Sequence, residues 1–227
     1  MKSADGQLIL DAKGLPIRDA YVQNLGHLDP SWRLGIQNKF NIKGFDVGVD
    51  IDGVWGGIMN SNTIEKMWWA GKHPNSTEYR DAEYAAGKPV YVPDGVVVTG
   101  GELVRDVLGN ITQDTRTYTQ NTTAVSWQTW SQQYPYRARV TESENKKFAN
   151  TFDRSFFKLR RIAVGYDLGK IINLGPKIKG LNAQVFAYNL AMWKKMPILD
   201  PDFKEGNDSD LQDPSPRYLG LALNLKL

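Results

Sequence analysis

Trp68, Trp69, Trp127, Trp130 and Trp193 are the side chains of this sequence whose chemistry is easiest to name. An indole face is flat and apolar with a polar rim, so it can stack on a sugar ring or close against a partner surface. These five are the candidates for ligand or lid contact. The competing reading packs them within their own loops or sets them in an interfacial belt. A second set is charged. Arg33, Asp46, Asp50, Asp52 and Asp167 recur at alternate positions of strand-like runs and would line a hydrated surface, either as a binding wall or as a solvated face.

Other chemistries fall away on composition. The chain has no cysteine, so there is no disulfide framework and no thiolate metal site. His27 and His73 are the only histidines, too few for a histidine-based centre, and no cofactor is implied. Among 25 acidic residues chance pairs are certain, yet no motif singles out the two carboxylates of a glycosidase, and no enzymatic activity is expected. A net charge of +3 does not argue for nucleic acid.

Strands must hold these side chains. From Tyr218 to Leu227 leucine fills every odd position from Leu219 onward, with Gly220, Ala222, Asn224 and Lys226 between. A period of two marks a strand with one apolar and one polar face. Such an edge recruits other chains in water but suits the wall of a transmembrane barrel, with lipid on one side and a wet lumen on the other. Trp32 to Asn41 and Phe45 to Ile51 alternate in the same way across Ile42-Lys43-Gly44, a hairpin signature. Ile162, Val164, Tyr166 and Leu168 continue the pattern, as do residues 181–190.

The expected fold is therefore all-β, with antiparallel strands near 32–41, 45–58, 156–169, 180–191 and 217–227. Residues 1–31 read as loop with a short hairpin, because Gly, Asp and Pro set turn angles there. Residues 60–153 form one long loop, rich in aromatics, with a short helix over 63–70 capped by Asn62 or Thr63 and a small strand at Val96-Val97-Val98. A second polar loop spans 192–215. Short links alternating with long ones match a barrel with periplasmic turns and external loops. Lys146, Lys147, Arg154, Lys158, Arg160 and Arg161 form a basic run read as a solvated rim.

Several blocks then resemble the C-terminal part of the SusC-like (SusC/RagA family) TonB-dependent outer-membrane transporters. Asn24 to Trp32 is similar to the family's Asn-Pro-rich lead into a strand. Phe45 to Gly57 resembles its next strand, ending in Gly56-Gly57. Asp94-Gly95-Val96, Gly109-Asn110-Ile111, Asp114-Thr115-Arg116 and Asn121 to Ser126 resemble an external loop of one branch. Asp153 to Leu168 carries the most specific pattern, a Phe-x-Lys-Leu-Arg run into Gly165-Tyr166. Phe186 to Trp193 resembles the Asn-Leu-x-x-Trp segment, and Pro216-Arg217-Tyr218 the closing strand.

That resemblance implies an all-β chain of antiparallel strands from the C-terminal portion of a transmembrane β-barrel, with long extracellular loops. The parent would be a nutrient importer for oligosaccharide or, second, peptide. It would have about twenty-two strands and an N-terminal plug. Its partners would be the remainder of the barrel and plug, a SusD-like surface lipoprotein, TonB through the N-terminal part, and outer-membrane lipid. The place would be the cell outer membrane. Met1 to Gly6 has no apolar core of a signal peptide, so the chain reads either as a soluble protein or as a piece of something longer. The rival is a soluble β-sandwich that grips a glycan with Trp-rich loops.

Overall fold

The computed structural model describes residues 1–21, 24–134, 150–203 and 211–227, and the chain divides into two compact units. One comprises residues 26–59 and 152–227, the other residues 1–25 and 60–151. Among the described residues the strands lie mostly in antiparallel sheets, helices are few, and no closed barrel forms. No helix among them is long and apolar enough to cross a membrane. That observation does not bear on crossing by strands.

The first unit is built on a five-stranded sheet. Its strands are β2 (Trp32–Ile42), β3 (Phe45–Trp55), β10 (Phe156–Asp167), β11 (Gly180–Lys194) and β12 (Tyr218–Lys226), in the order β12-β11-β10-β3-β2. Every neighbouring pair is antiparallel. β11 runs to Lys194, beyond the limit near 191 expected from sequence, so Trp193 lies in a strand and not in a loop. The tight links arise from local chemistry. Lys43 and Gly44 both have positive φ, 51° and 89°, the pattern of a two-residue type I′ hairpin turn. At the opposite end Gly57 has φ 79°, and a Cβ there would stand 3.0 Å from the Leu28 carbonyl oxygen. Only glycine lets the segment before β2 come that close.

The register sorts every residue of this sheet onto one of two faces. Trp32, Leu34, Ile36, Phe40 and Ile42 of β2 share a face with Phe45, Val47, Val49, Ile51 and Trp55 of β3. Phe157, Leu159, Ile162, Val164 and Tyr166 continue it on β10. Val185, Ala187 and Trp193 extend it on β11, and Leu219, Leu221, Leu223 and Leu225 complete it on β12. The other face is polar and charged. A bulge between Leu159 and Arg161 breaks the alternation of β10, so that Arg160 and Arg161 both reach carboxylates on the polar side.

The second unit is more ordered than the loops expected of residues 60–153 and 1–31, and it contains the short helix and the Val96-Val97-Val98 strand expected there. β1 (Ile9–Leu10) is only two residues long, but both are fully buried and pair in parallel with β5 (Val96–Gly100). β5 pairs in turn with β8 (Thr117–Gln120), and β6 (Leu103–Arg105) forms a hairpin with β7 (Ile111–Asp114). Among the described residues three α-helices accompany them: α1 (Asn62–Trp69), α2 (Arg80–Ala86) and α3 (Trp127–Gln133). The cap of α1 is Ser61, whose hydroxyl accepts the Ile64 N–H at 3.1 Å, and neither Asn62 nor Thr63. Ser61 has the extended backbone that a cap requires. Two short strands, β4 (Ile58–Asn60) and β9 (Thr151–Asp153), lie where the chain passes between units. Leu10, Val125, Trp127 and Trp130 form the core of the second unit, with Trp68, Tyr79, Tyr91 and Tyr134 packed against it.

Candidate functional site

The first unit presents a charged surface on β3 and β10. Arg160 grips Asp52 with both ends of its guanidinium, at 2.7 and 2.8 Å, and reaches Asp202 at 2.5 Å. Lys158 stands between Asp200 at 2.5 Å and Asp202 at 3.1 Å. The Lys158 and Asp200 side chains are each only 2% exposed. A buried charge of this kind survives only with a partner and further hydrogen bonds. The Asp200 carboxylate has one besides Lys158, from the Asp202 N–H to Oδ1, and Gln212 holds the backbone there by donating to the Asp200 carbonyl oxygen at 2.7 Å. Burial works to raise the Asp202 carboxyl, yet the hydrogen bonds and charges of Arg160 and Lys158 hold it below its ordinary value. Asp50 lies 3.7 Å from Arg161. The result is a loop, residues 199–203, tied down on the polar face of the sheet by two carboxylates.

Of the five charges picked out in the sequence, Arg33, Asp46, Asp50 and Asp52 lie on this polar face by register, as does Asp167 at its end. Asp52 and Asp50 hold arginines. Asp46 accepts from Asn41 at 2.8 Å, and Asp167 caps the 3-10 turn 168–170 by accepting the Gly169 N–H. Among the described residues of the basic run, Lys158, Arg160 and Arg161 are paired with carboxylates. Lys146 and Lys147 lie outside the described residues. Sequence reasoning missed Lys158 and Asp200 as a pair. Asp200-Pro201-Asp202 has the composition of a turn within the polar loop 192–215, but nothing local links it to a lysine 42 positions away.

The second unit holds an aromatic cleft of about 550 Å³, lined by Trp68, Trp69, Arg80, Glu83, Trp127 and Gln128 among others. Trp127 anchors its floor. The Trp127 indole packs 4.8 Å from Tyr91 and 4.9 Å from Tyr79, and Nε1–H donates to the carbonyls of Asn75 and Ser76. Its own backbone N–H, at the start of α3, donates to Glu83 at 2.8 Å. Trp68 stacks on His73 with ring centroids 4.0 Å apart. Burial pushes the His73 imidazole below its ordinary value, so it is neutral at pH 7, and Nδ1 accepts the Asn75 N–H.

The five candidate tryptophans are thus not one site. Trp127 and Trp130 are core residues, 7% and 5% exposed. Trp68 is packed against that core, and Trp69 is 66% exposed at the cleft. Trp193 belongs to the apolar face of the sheet, opposite Phe157. Among the described residues no group of His, Asp and Glu is arranged to hold a metal ion.

No protein-family model and no curated protein matches the sequence. Among solved structures, the chain is similar to one described as the structure of the RagAB peptide transporter, with 16% sequence identity and a TM-score of 0.49. The similarity covers 97% of this chain and 20% of that one, so the chain spans about a fifth of that neighbour's length.

Proposed function

We propose that this chain is part of the C-terminal wall of an outer-membrane nutrient importer, to which it contributes five barrel strands. The observation that carries the reading is the division of the sheet into two chemically opposite faces. On β12 the outward leucines are 56–80% exposed. Each large aliphatic side chain gains about 2 kcal/mol on leaving water for hydrocarbon. An arginine or lysine at the bilayer midplane costs about 2–4 kcal/mol, which excludes the face bearing Lys158, Arg160 and Arg161 from lipid and assigns it to the lumen.

The dimensions support the same reading. An aromatic row of Trp32, Trp55, Phe157 and Trp193 edges the apolar face at one end, with Trp32 stacked on Trp55 at 6.1 Å. Phe45 and Tyr166, 4.6 Å apart, edge it at the other. The ten steps from Phe45 to Trp55 cover about 33 Å of strand. At a barrel tilt of roughly 40° that is a height of about 25 Å, the height of the apolar band that aromatic girdles flank.

In this reading the parent imports oligosaccharide, or second peptide, with a SusD-like lipoprotein over its mouth and energy delivered through TonB to a plug outside this chain. Support for those parts comes from the motif resemblance alone. The soluble sandwich needs a second sheet on the apolar face, and among the described residues of that unit none lies there. Expression of the chain without detergent discriminates the two. The wall reading expects aggregation that detergent or lipid relieves; a folded, detergent-free monomer would overturn it.

A further inference from the structure

The two ends of the sheet differ in charge. At the short-turn end, residues 41–46, 166–182 and 224–227 contain five lysines (Lys43, Lys170, Lys177, Lys179 and Lys226) against two aspartates. All five lysines are exposed. Both aspartates are committed locally, Asp46 to Asn41 and Asp167 to the Gly169 N–H. Among the described residues the long-loop end is balanced: Asp29, Asp153, Asp200, Asp202 and Asp213 match Arg33, Arg154, Lys194, Lys195 and Arg217 in number.

The lysines also sit where an interface would be. The Lys170 ammonium lies beside the Lys43-Gly44 turn and the Tyr166 ring, since a Cβ on Gly44 would stand 3.6 Å from Nζ and 3.2 Å from the ring. Lys179 donates its backbone N–H to the Lys226 carbonyl and its ammonium to the Leu227 oxygen, which places both lysines at one strand end. Ile171 and Ile172, 67% and 49% exposed, follow Lys170 directly. A turn that pairs exposed isoleucines with lysines, next to the Phe45–Tyr166 row, puts apolar atoms at the acyl boundary and ammonium groups at the phosphates.

We infer that the short-turn rim is a recognition surface for anionic phospholipid headgroups of the leaflet it meets. This rests on the membrane-wall reading. The occupant follows from charge complementarity: ammonium groups near an anionic surface each add binding that decays within a Debye length, and the five lysines of this rim outnumber its two aspartates.

Flotation of the full chain with vesicles tests this, comparing phosphatidylcholine alone with phosphatidylcholine carrying a minor fraction of phosphatidylglycerol. The expected result is partition at least about tenfold stronger onto the anionic vesicles, falling as salt rises. Replacing Lys43, Lys170, Lys177, Lys179 and Lys226 by glutamine removes that increment and preserves binding to neutral vesicles. Replacement of the same five by arginine keeps it, and Lys195→Gln with Arg217→Gln at the other end leaves it unchanged. Equal binding to both vesicle types, or an increment that survives the five-glutamine change, overturns the inference while leaving the wall reading intact. Failure to bind any vesicle overturns both.

Discussion

The seven tryptophans of this chain are divided between two opposite solutions to one problem. In the unit that contains residues 60–151, Trp127 and Trp130 are buried among tyrosines, as in a protein that folds in water. In the sheet unit Trp32, Trp55 and Trp193 are 44%, 44% and 62% exposed and stand on its apolar face. Polar groups are inverted as well. The sheet unit buries Lys158 and Asp200 while its leucines stay outside. The difference teaches that one chain treats its aromatics in two ways: the core of one unit hides Trp127 and Trp130 from water, and the sheet of the other leaves Trp32, Trp55 and Trp193 exposed on its apolar face.

Substitutions can break this contrast. The largest effect is expected from Trp127→Ala, which removes a core ring and its two Nε1–H hydrogen bonds. It should destabilise its unit by about 4 kcal/mol in urea denaturation. Trp193→Ala in detergent, which opens no cavity, should cost less than about 1 kcal/mol. A comparable cost for the two would erase the distinction. Next, Lys158→Ala leaves Asp200 buried without its cation and should cost about 3 kcal/mol in detergent-folded protein. Lys195→Ala should cost no more than about 0.5 kcal/mol, because the Lys195–Asp153 pair is 52% and 40% exposed. Ser61→Ala removes the α1 cap and should cost about 1 kcal/mol, read as lost helix signal on heating.

The smallest effect is a pH dependence confined to the second unit. His73 titrates below its ordinary value because burial beside Trp68 disfavours the cation. The unfolded chain therefore takes up the proton first. Stability attributable to His73 is complete above pH 6.5 and is lost as pH falls from there through the lowered folded value. Thermal melts from pH 7.5 to 5 should show the decline, and His73→Phe should flatten it. A decline that survives His73→Phe would assign it to another group.

How far the sequence discloses this depends on the range of the interactions. β12 was legible because its alternation is local and unbroken, and the Lys43-Gly44 hairpin because its turn residues dictate their own angles. The phase of β10 was not, because the extra residue at Arg160 turns two successive arginines to one side and makes a polar-face set look like a basic run. The second unit was legible only in its α1 helix and in the strand at Val96-Val97-Val98. β1 is two residues long and gains its identity from a partner strand 87 positions later, Ile9 on Val96, which no local pattern announces. The tryptophans drew attention by type, but only packing separates core Trp127 from exposed Trp69.

In the proposed wall one face of the sheet meets lipid and the other meets water. Because the chain has no cysteine, a single spin label can be placed at each position from Asp46 to Asp52 of β3 without background. In lipid bilayers, relaxation by oxygen should peak at Val47, Val49 and Ile51, and relaxation by a water-soluble nickel chelate at Asp46, Gly48, Asp50 and Asp52, with a period of two. Equal access of the chelate to both sets would contradict the account.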